Sequence, residues 1–320
     1  MQYQEFTDLG HGITCIDTMQ HRAGLAACYL IEHQGHAALI DTGHSLCTPR
    51  ILALLEQKGI ALKDVDYVMP THVHLDHAGG AGNLMQALPN AKLIMHPRGA
   101  RHMADPSKLI AGATAVYGAE GLKQQFGEIL ATDAERIISI EDGDSFSLAG
   151  RQLEIRDTPG HAKHHYAVWD AVSRGWFTGD TFGISYRETD ATACGSTQQH
   201  YLIPTSTPVQ FDPEAWNNTI DMLMSYKPER MFLTHFGMVE DVASLSIELK
   251  RKLHEYVLLT RRHGLAENAH TLLKGALKQL HTDDLARLGA QLSAEQVEQI
   301  YAVDLELNTQ GLLFWLEHAA

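Results

Sequence analysis

The sequence predicts a mixed α/β domain followed by a smaller, all-helical C-terminal region. Three observations carry this. Up to about residue 236, short apolar or β-branched runs alternate with turn signals and a few helical stretches. Beyond about residue 239 the pattern changes to apolar residues at i, i+3 and i+4 with few turn residues, over 244–262, 266–280 and 293–317. The length, 320 residues, suits about two domains. We place the first at 1–240 and the helical one at 241–320.

In chain order, the expected strands are 12–17, 25–32, 36–41, 66–69, 92–96, 152–157, 166–170, 176–178 and 230–233. Each is a short run rich in branched or aromatic residues. Helices are expected at 49–58 and 213–226, where a Pro sits in the first turn, a position that lacks an intrahelical partner for its nitrogen anyway. Residues 105–132 read as an inserted helix. Residues 182–210 are Gly, Thr, Ser, Gln and aromatics without a period, and an ordered loop of that length usually covers or builds a site.

Composition narrows the function. With 44% hydrophobic and 20% charged residues the chain is globular rather than disordered or fibrous. Its 25 basic and 39 acidic residues leave a net charge of −14, which repels phosphate backbones and anionic bilayers, so neither nucleic acid nor membrane is expected as a partner. The uncharged run 23–31 is about half of what spans a bilayer. The opening MQYQEFTDLG has no basic start followed by an apolar stretch, so a cytoplasmic location is expected. Cys15, Cys28, Cys47 and Cys194 form no C-x-x-C pair and read as small hydrophobes in a reducing compartment.

One count is out of line: there are 20 His. The densest group is THVHLDHAGG, in which His72, His74, Asp76 and His77 follow the apolar run DYVMP. His72 and His74, two apart at a strand end, can leave on the same side, while Asp76 and His77 fall where the chain turns toward a Gly-rich helix start. Mixed imidazole and carboxylate donors are typical of catalytic transition-metal sites rather than closed cysteine sites. The same grammar, an apolar strand, then Thr, then a ligand, recurs before His161 in DTPGH, Asp180 in FTGD and His235 in LTHF. Loops beyond strand ends are where sites assemble in open α/β folds. These five His and two Asp suffice for two ions. Of the remaining histidines, His11, His21, His33, His36, His102, His254, His263, His270, His281 and His318 read as surface residues, whereas His44, His96, His164, His165 and His200 are candidates for the cleft.

THVHLDHAGG, followed at wide spacing by TPGH, TGD and THFG and preceded by LIDTG, resembles the metallo-β-lactamase-fold hydrolase superfamily over roughly residues 10–240. Within it, the likeness is to glyoxalase II-like and related uncharacterised hydrolases. The resemblance implies an αββα sandwich with a helical C-terminal extension and a metal pair at one edge. It implies that His72, His74 and His161 hold the first ion, that Asp76, His77 and His235 hold the second, and that Asp180 bridges them. Asp41 in LIDTG would hold a ligand in place rather than touch the metal. Two divalent ions are the implied cofactors, zinc first, with iron or manganese compatible.

Such a pair would lower the pKa of a bound water from 15.7 to about 7. A metal-bridging hydroxide would then attack a small ester, thioester or lactone carbonyl, with Asp76 orienting the nucleophile and receiving its proton. Flavo-diiron relatives usually carry Glu where this chain has His74, which favours hydrolysis. The alternatives are hydrolysis of a small phosphoester or organophosphate, an iron-dependent persulfide dioxygenase, and a regulator that keeps the metal and binds a ligand. Phe182, Tyr186, His200 and Tyr201 are the candidate substrate-pocket residues in the long loop. Arg261, Arg262 and Lys274 are candidates to grip a carboxylate, as basic residues do in glyoxalase II relatives. The expected partner is a small-molecule substrate, and dimerisation in related proteins makes a homodimer an open expectation.

Overall fold

The computed structural model describes residues 5–192 and 198–318. Cys194 lies outside the described residues. Contacts divide the chain into two units. The first runs through Asp157 and adds His164–Gly179 and Glu229–Met238; the second comprises Thr158–Lys163, Asp180–Pro228 and the chain from Val239.

The first unit holds two sheets. One has seven strands in sequential order: β1 (Phe6–Asp8), β2 (Ile13–Asp17), β3 (Ala27–His33), β4 (His36–Ile40), β5 (Val65–Met69), β6 (Lys92–Met95) and β7 (Ile137–Ser139). Strands β1 to β4 pair antiparallel, whereas β4 to β7 pair parallel. Parallel neighbours require crossovers. These contain α1 (Thr48–Gln57), then α2 (Leu75–Ala78) and α3 (Ala81–Ala87), then α4 (Pro97–Ala104) and α5 (Ser107–Phe126). The other sheet draws on β8 (Ser145–Leu148), β9 (Arg151–Asp157), β10 (Tyr166–Asp170) and β11 (Gly175–Gly179). After a two-stranded ribbon, β12 (Ala191–Thr192) with β13 (Gln198–Gln199), it is completed by β14 (Arg230–Leu233) and β15 (Gly237–Val239), in the order β15-β14-β11-β10-β9-β8.

Side-chain alternation explains the layering. In β3, Ala27, Tyr29 and Ile31 face the second sheet, while Cys28 and Leu30 face the helices; in β4, Ala38 and Ile40 face one way and Ala37 and Leu39 the other. Strands buried on both faces read as continuous apolar runs, which is why these were legible. Between the sheets, the Tyr29 ring stands edge-on to Phe177 and Phe232, with centroids 5.3 and 5.7 Å away. On the outer face of the first sheet, Ile51 and Leu55 of α1, Leu84 of α3 and Met103 of α4 close a second core. The architecture is the α/β sandwich with C-terminal helices that the sequence implies. Strands β1, β7, β8 and β15 were not anticipated, because three or four residues at a sheet margin carry little periodicity.

The second unit contains α6 (Pro213–Ser225), α7 (Val242–His263), α8 (Ala269–Leu288), α9 (Ala294–Ile300) and α10 (Ala302–His318). Asp212 caps α6 by accepting from the Glu214 and Ala215 amides at 3.1 and 3.0 Å. A capping box formed by Ser293 and Gln296 starts α9. Among the described residues no helix is long and apolar enough to cross a membrane.

His281 corrects an expectation. Rather than lying at the surface, it is fully buried on α8, with the Tyr201 hydroxyl 2.8 Å from Nδ1 and the Tyr256 hydroxyl 2.7 Å from Nε2. Burial lowers its pKa to about 3, so it stays neutral. Beside it the Lys252 amine lies 4.2 Å from the Tyr201 ring centroid and 3.9 Å from Glu248.

Burial pulls the Lys252 pKa from 10.5 to about 7. Unfolded, this lysine keeps its proton up to 10.5; folded, it releases it near 7. The ionisation penalty on the native chain is therefore absent above the unfolded value and complete below the folded one. Lys252→Met is expected to stabilise the protein by about 1–4 kcal/mol at pH 7, with a gain that shrinks as pH climbs toward 10. Thermal melts of both proteins across that range check it; a gain independent of pH contradicts a neutral buried amine.

Candidate metal centre

The centre is built on strand ends of the first unit. Strand β4 ends just before Asp41, whose φ of 57° is left-handed, a conformation that Asp tolerates better than most residues. Strand β5 ends just before Thr71, and α2 is a single turn carrying Asp76 and His77. The two ends are stitched together, since the Thr42 hydroxyl and amide both donate to the His77 carbonyl at 2.8 and 2.7 Å. Gly79 is required by the packing: a Cβ there would lie 2.3 Å from the Leu75 carbonyl oxygen.

Asp41 is the hub. It is 1% exposed and accepts from the Thr71 amide at 2.7 Å, the Thr71 hydroxyl at 3.0 Å, the Thr234 hydroxyl at 2.6 Å and His77 Nδ1 at 2.8 Å. Here the recurring Thr in the sequence grammar gains a physical reason. Thr71 and Thr234 tie the ends of β5 and β14 to one carboxylate.

Tautomers follow from the acceptors. Asp41 can only accept from His77 Nδ1, and the Leu25 carbonyl can only accept from His235 Nδ1 at 2.8 Å. Both rings therefore turn Nε2 toward Asp76, whose Oδ2 stands 3.6 Å from His77 Nε2 and 3.1 Å from His235 Nε2. The donor atoms of Asp76, His77 and His235 all lie within 4.8 Å of one another. Two imidazoles with fixed Nδ1–H and a carboxylate form a donor set that suits a divalent transition ion.

On the same loop His72 Nε2 and His74 Nδ1 are 2.8 Å apart, with Thr71 Oγ1 3.2 Å from His72 Nδ1. The His165 and His164 rings lie 4.8 and 6.0 Å from that of His72. His44 is buried in the turn after Asp41; burial lowers its pKa against the opposing charge of Asp76. His96 Nε2 instead meets Asp157 at 3.2 Å.

In the second unit, His161 donates from Nδ1 to the Thr205 carbonyl at 2.7 Å and turns Nε2 to Asp180 Oδ2, 3.4 Å away. Both are buried. Phe182, Tyr186 and Tyr201 are buried as well. Tyr186 stacks on Tyr301 at 5.4 Å and bonds Asp304, Tyr201 bonds His281, and His200 pairs with Asp190 at 3.0 Å. Lys274 pairs with Glu306 at 2.6 Å, and Arg261 lies over the Trp315 ring. The threonines and the Leu25 and Thr205 carbonyls were not singled out as contributors to the site, since nothing in a sequence marks a carbonyl that will orient a ring.

Comparison with known proteins gives a family match, two relatives and two solved structures. The profile of the metallo-beta-lactamase superfamily matches residues 21–235. The chain is 27% identical over 217 residues to the metallo-beta-lactamase fold-containing protein ST1585 of Sulfurisphaera tokodaii, covering 62% of this chain and 74% of the relative. It is 26% identical over 224 residues to a hydroxyacylglutathione hydrolase of Acaryochloris marina, covering 67% and 73%. The solved ST1585 structure superposes with a TM-score of 0.63 at 22% identity, covering 94% of this chain and 98% of the other. That of TTHA1429 from Thermus thermophilus gives 0.65 at 18%, covering 98% and 96%. These two speak for the fold alone.

Proposed function

The chain belongs to the metallo-beta-lactamase superfamily, in general metal-dependent hydrolases, and on that footing we propose that it hydrolyses a small ester, thioester or lactone with two divalent ions. The observation that carries this reading is the Asp76, His77 and His235 trio, with both rings oriented from behind by Asp41 and Leu25. On the strength of the sequence motifs we assign His72, His74, His161 and Asp180 to the other ion, with Asp180 shared by both. Zinc is the first expectation for such donors, with iron or manganese compatible. The similarity to a hydroxyacylglutathione hydrolase points toward thioesters.

Bound ions would supply Lewis acidity and a water acidified to near neutral pH. The chain's own residues do the rest. Asp41 fixes the His77 tautomer, and the Leu25 and Thr205 carbonyls fix those of His235 and His161. Asp76, with a side chain 25% exposed, holds the nucleophile in line and takes up its proton.

Elemental analysis of protein purified without added metal, followed by thioester, lactone, aryl ester and phosphate assays with oxygen uptake recorded, tests the proposal. About two metal equivalents and carbonyl-ester turnover without oxygen uptake are expected. A single iron with oxygen consumption, turnover of phosphoesters alone, or ligand binding without turnover would each replace it with another of the readings the sequence left open.

A further inference from the structure

Helix α5 carries an apolar surface that the chemistry above does not use. Between Lys108 and Glu120 the sequence LIAGATAVYGA contains no charge. A surface helix normally buries such residues against a core, yet Val116 is 73% and Tyr117 40% exposed. Gly118, with φ 71° and ψ 161°, breaks the helix directly after Tyr117. Two adjoining exposed apolar side chains on a segment packed against a ligand-bearing loop are placed to touch what binds there.

The segment is anchored to the metal motif twice. Leu109, Ile110 and Ala113 pack with Leu122 and Phe126 around Leu75, which stands between His74 and Asp76. Ser45, in the turn after Asp41, donates its hydroxyl to the Phe126 carbonyl at 2.7 Å. The Tyr117 ring lies 5.4 Å from Phe126. Its phenol is raised by burial and by the charge of Asp76. Leu46, 55% exposed, packs beside Gly127 at the end of the helix. Through Phe126 and Leu75 the segment is therefore packed onto the loop that bears the ligands.

We propose that Val116, Tyr117 and Leu46 form an apolar lip beside the metal centre that receives the acyl or aryl portion of the substrate, so that the ester, thioester or lactone cleaved is a hydrophobic one. This rests on the hydrolase reading. The missing charge across 109–119 gives an ionised acyl group no counter-charge within the segment, whereas each methylene withdrawn from water there favours binding by up to about fourfold.

The test compares metal-loaded native protein with the V116S/Y117S double variant on aryl esters from acetyl to octanoyl. Val116 is 73% exposed, but Tyr117 packs on Phe126, so the thermal midpoint of the variant is recorded to establish that it is folded. The native octanoyl-to-acetyl ratio of kcat/KM is expected to exceed about 10², and to fall at least tenfold in the variant. Leu265→Ser, at an apolar residue 89% exposed in the second unit, should keep the native ratio. A flat chain-length profile in the native protein, or a ratio untouched by the double variant, overturns the lip. Calorimetric binding of octanoate against acetate supplies a readout that needs no turnover. A preference for octanoate that the variant loses, in a protein that cleaves no ester, retains the lip and removes the hydrolase reading. No preference removes the lip. Sedimentation completes the test: a native dimer that dissociates in the double variant assigns this face to a second copy of the chain and overturns the proposal.

Discussion

Asp76→Asn is expected to lower turnover of the preferred carbonyl substrate by about 10²–10⁴ and to release one of the two metal equivalents while the protein stays folded. The substitution is isosteric but removes the negative charge and the ability to take a proton. Asp76 is the only carboxylate in the trio, with its Oδ2 3.1 Å from His235 Nε2 and 3.6 Å from His77 Nε2. Without it, the ion keeps two imidazoles and only a share of Asp180, and the nucleophile loses the group that receives its proton. Stability should barely change, because the side chain is partly exposed on a single helical turn and contributes to no apolar cluster. Metal content after dialysis, kcat on the preferred substrate and the thermal midpoint check the three parts separately. Full turnover in the variant would remove Asp76 from the chemistry.

What the sequence discloses depends on how local the cause is. Strands β2 to β6 announce themselves because both faces are largely buried, which leaves runs such as ACYLI and HAALI almost without polar interruption. The margin strand β7 is mostly exposed and its pairing partner supplies the information. His72, His74, Asp76 and His77 are conspicuous because they crowd six positions. The hold of Thr234 on Asp41 spans 193 residues, and that of Leu25 on His235 spans 210, so neither leaves a local trace. His281 shows the converse. A histidine in an amphipathic helix looks alike whether water or two tyrosines meet it, and Tyr201 arrives from 80 positions away. The long loop gives a similar lesson, since its aromatics are fixed by helices far along the chain.

Asp41→Asn is the sharpest test of how the site is held, since it leaves the shape intact and changes only which atoms donate. Asn tolerates the left-handed backbone at this position about as well as Asp does. The carboxylate now accepts four hydrogen bonds, two from Thr71 and one each from Thr234 and His77. An amide keeps one accepting oxygen. If that oxygen stays with the Thr71 amide and hydroxyl, the NH₂ faces Thr234 and His77. The threonine hydroxyl can rotate to accept, but His77 can accept only by moving its proton from Nδ1 to Nε2. That places a hydrogen where the metal's lone pair was. A 10–100-fold loss of affinity for one ion is therefore expected, in line with the loss of a carboxylate behind a ligating histidine. Asp41→Ala leaves the Thr71 amide and the other donors buried without acceptors and puts a Cβ-only residue in a left-handed conformation, so it should also cost about 3 kcal/mol or more of stability. Chelator competition gives the affinities and urea midpoints the stabilities. Should Asp41→Asn bind two ions as tightly as the native chain, the tautomer of His77 is set by something other than Asp41.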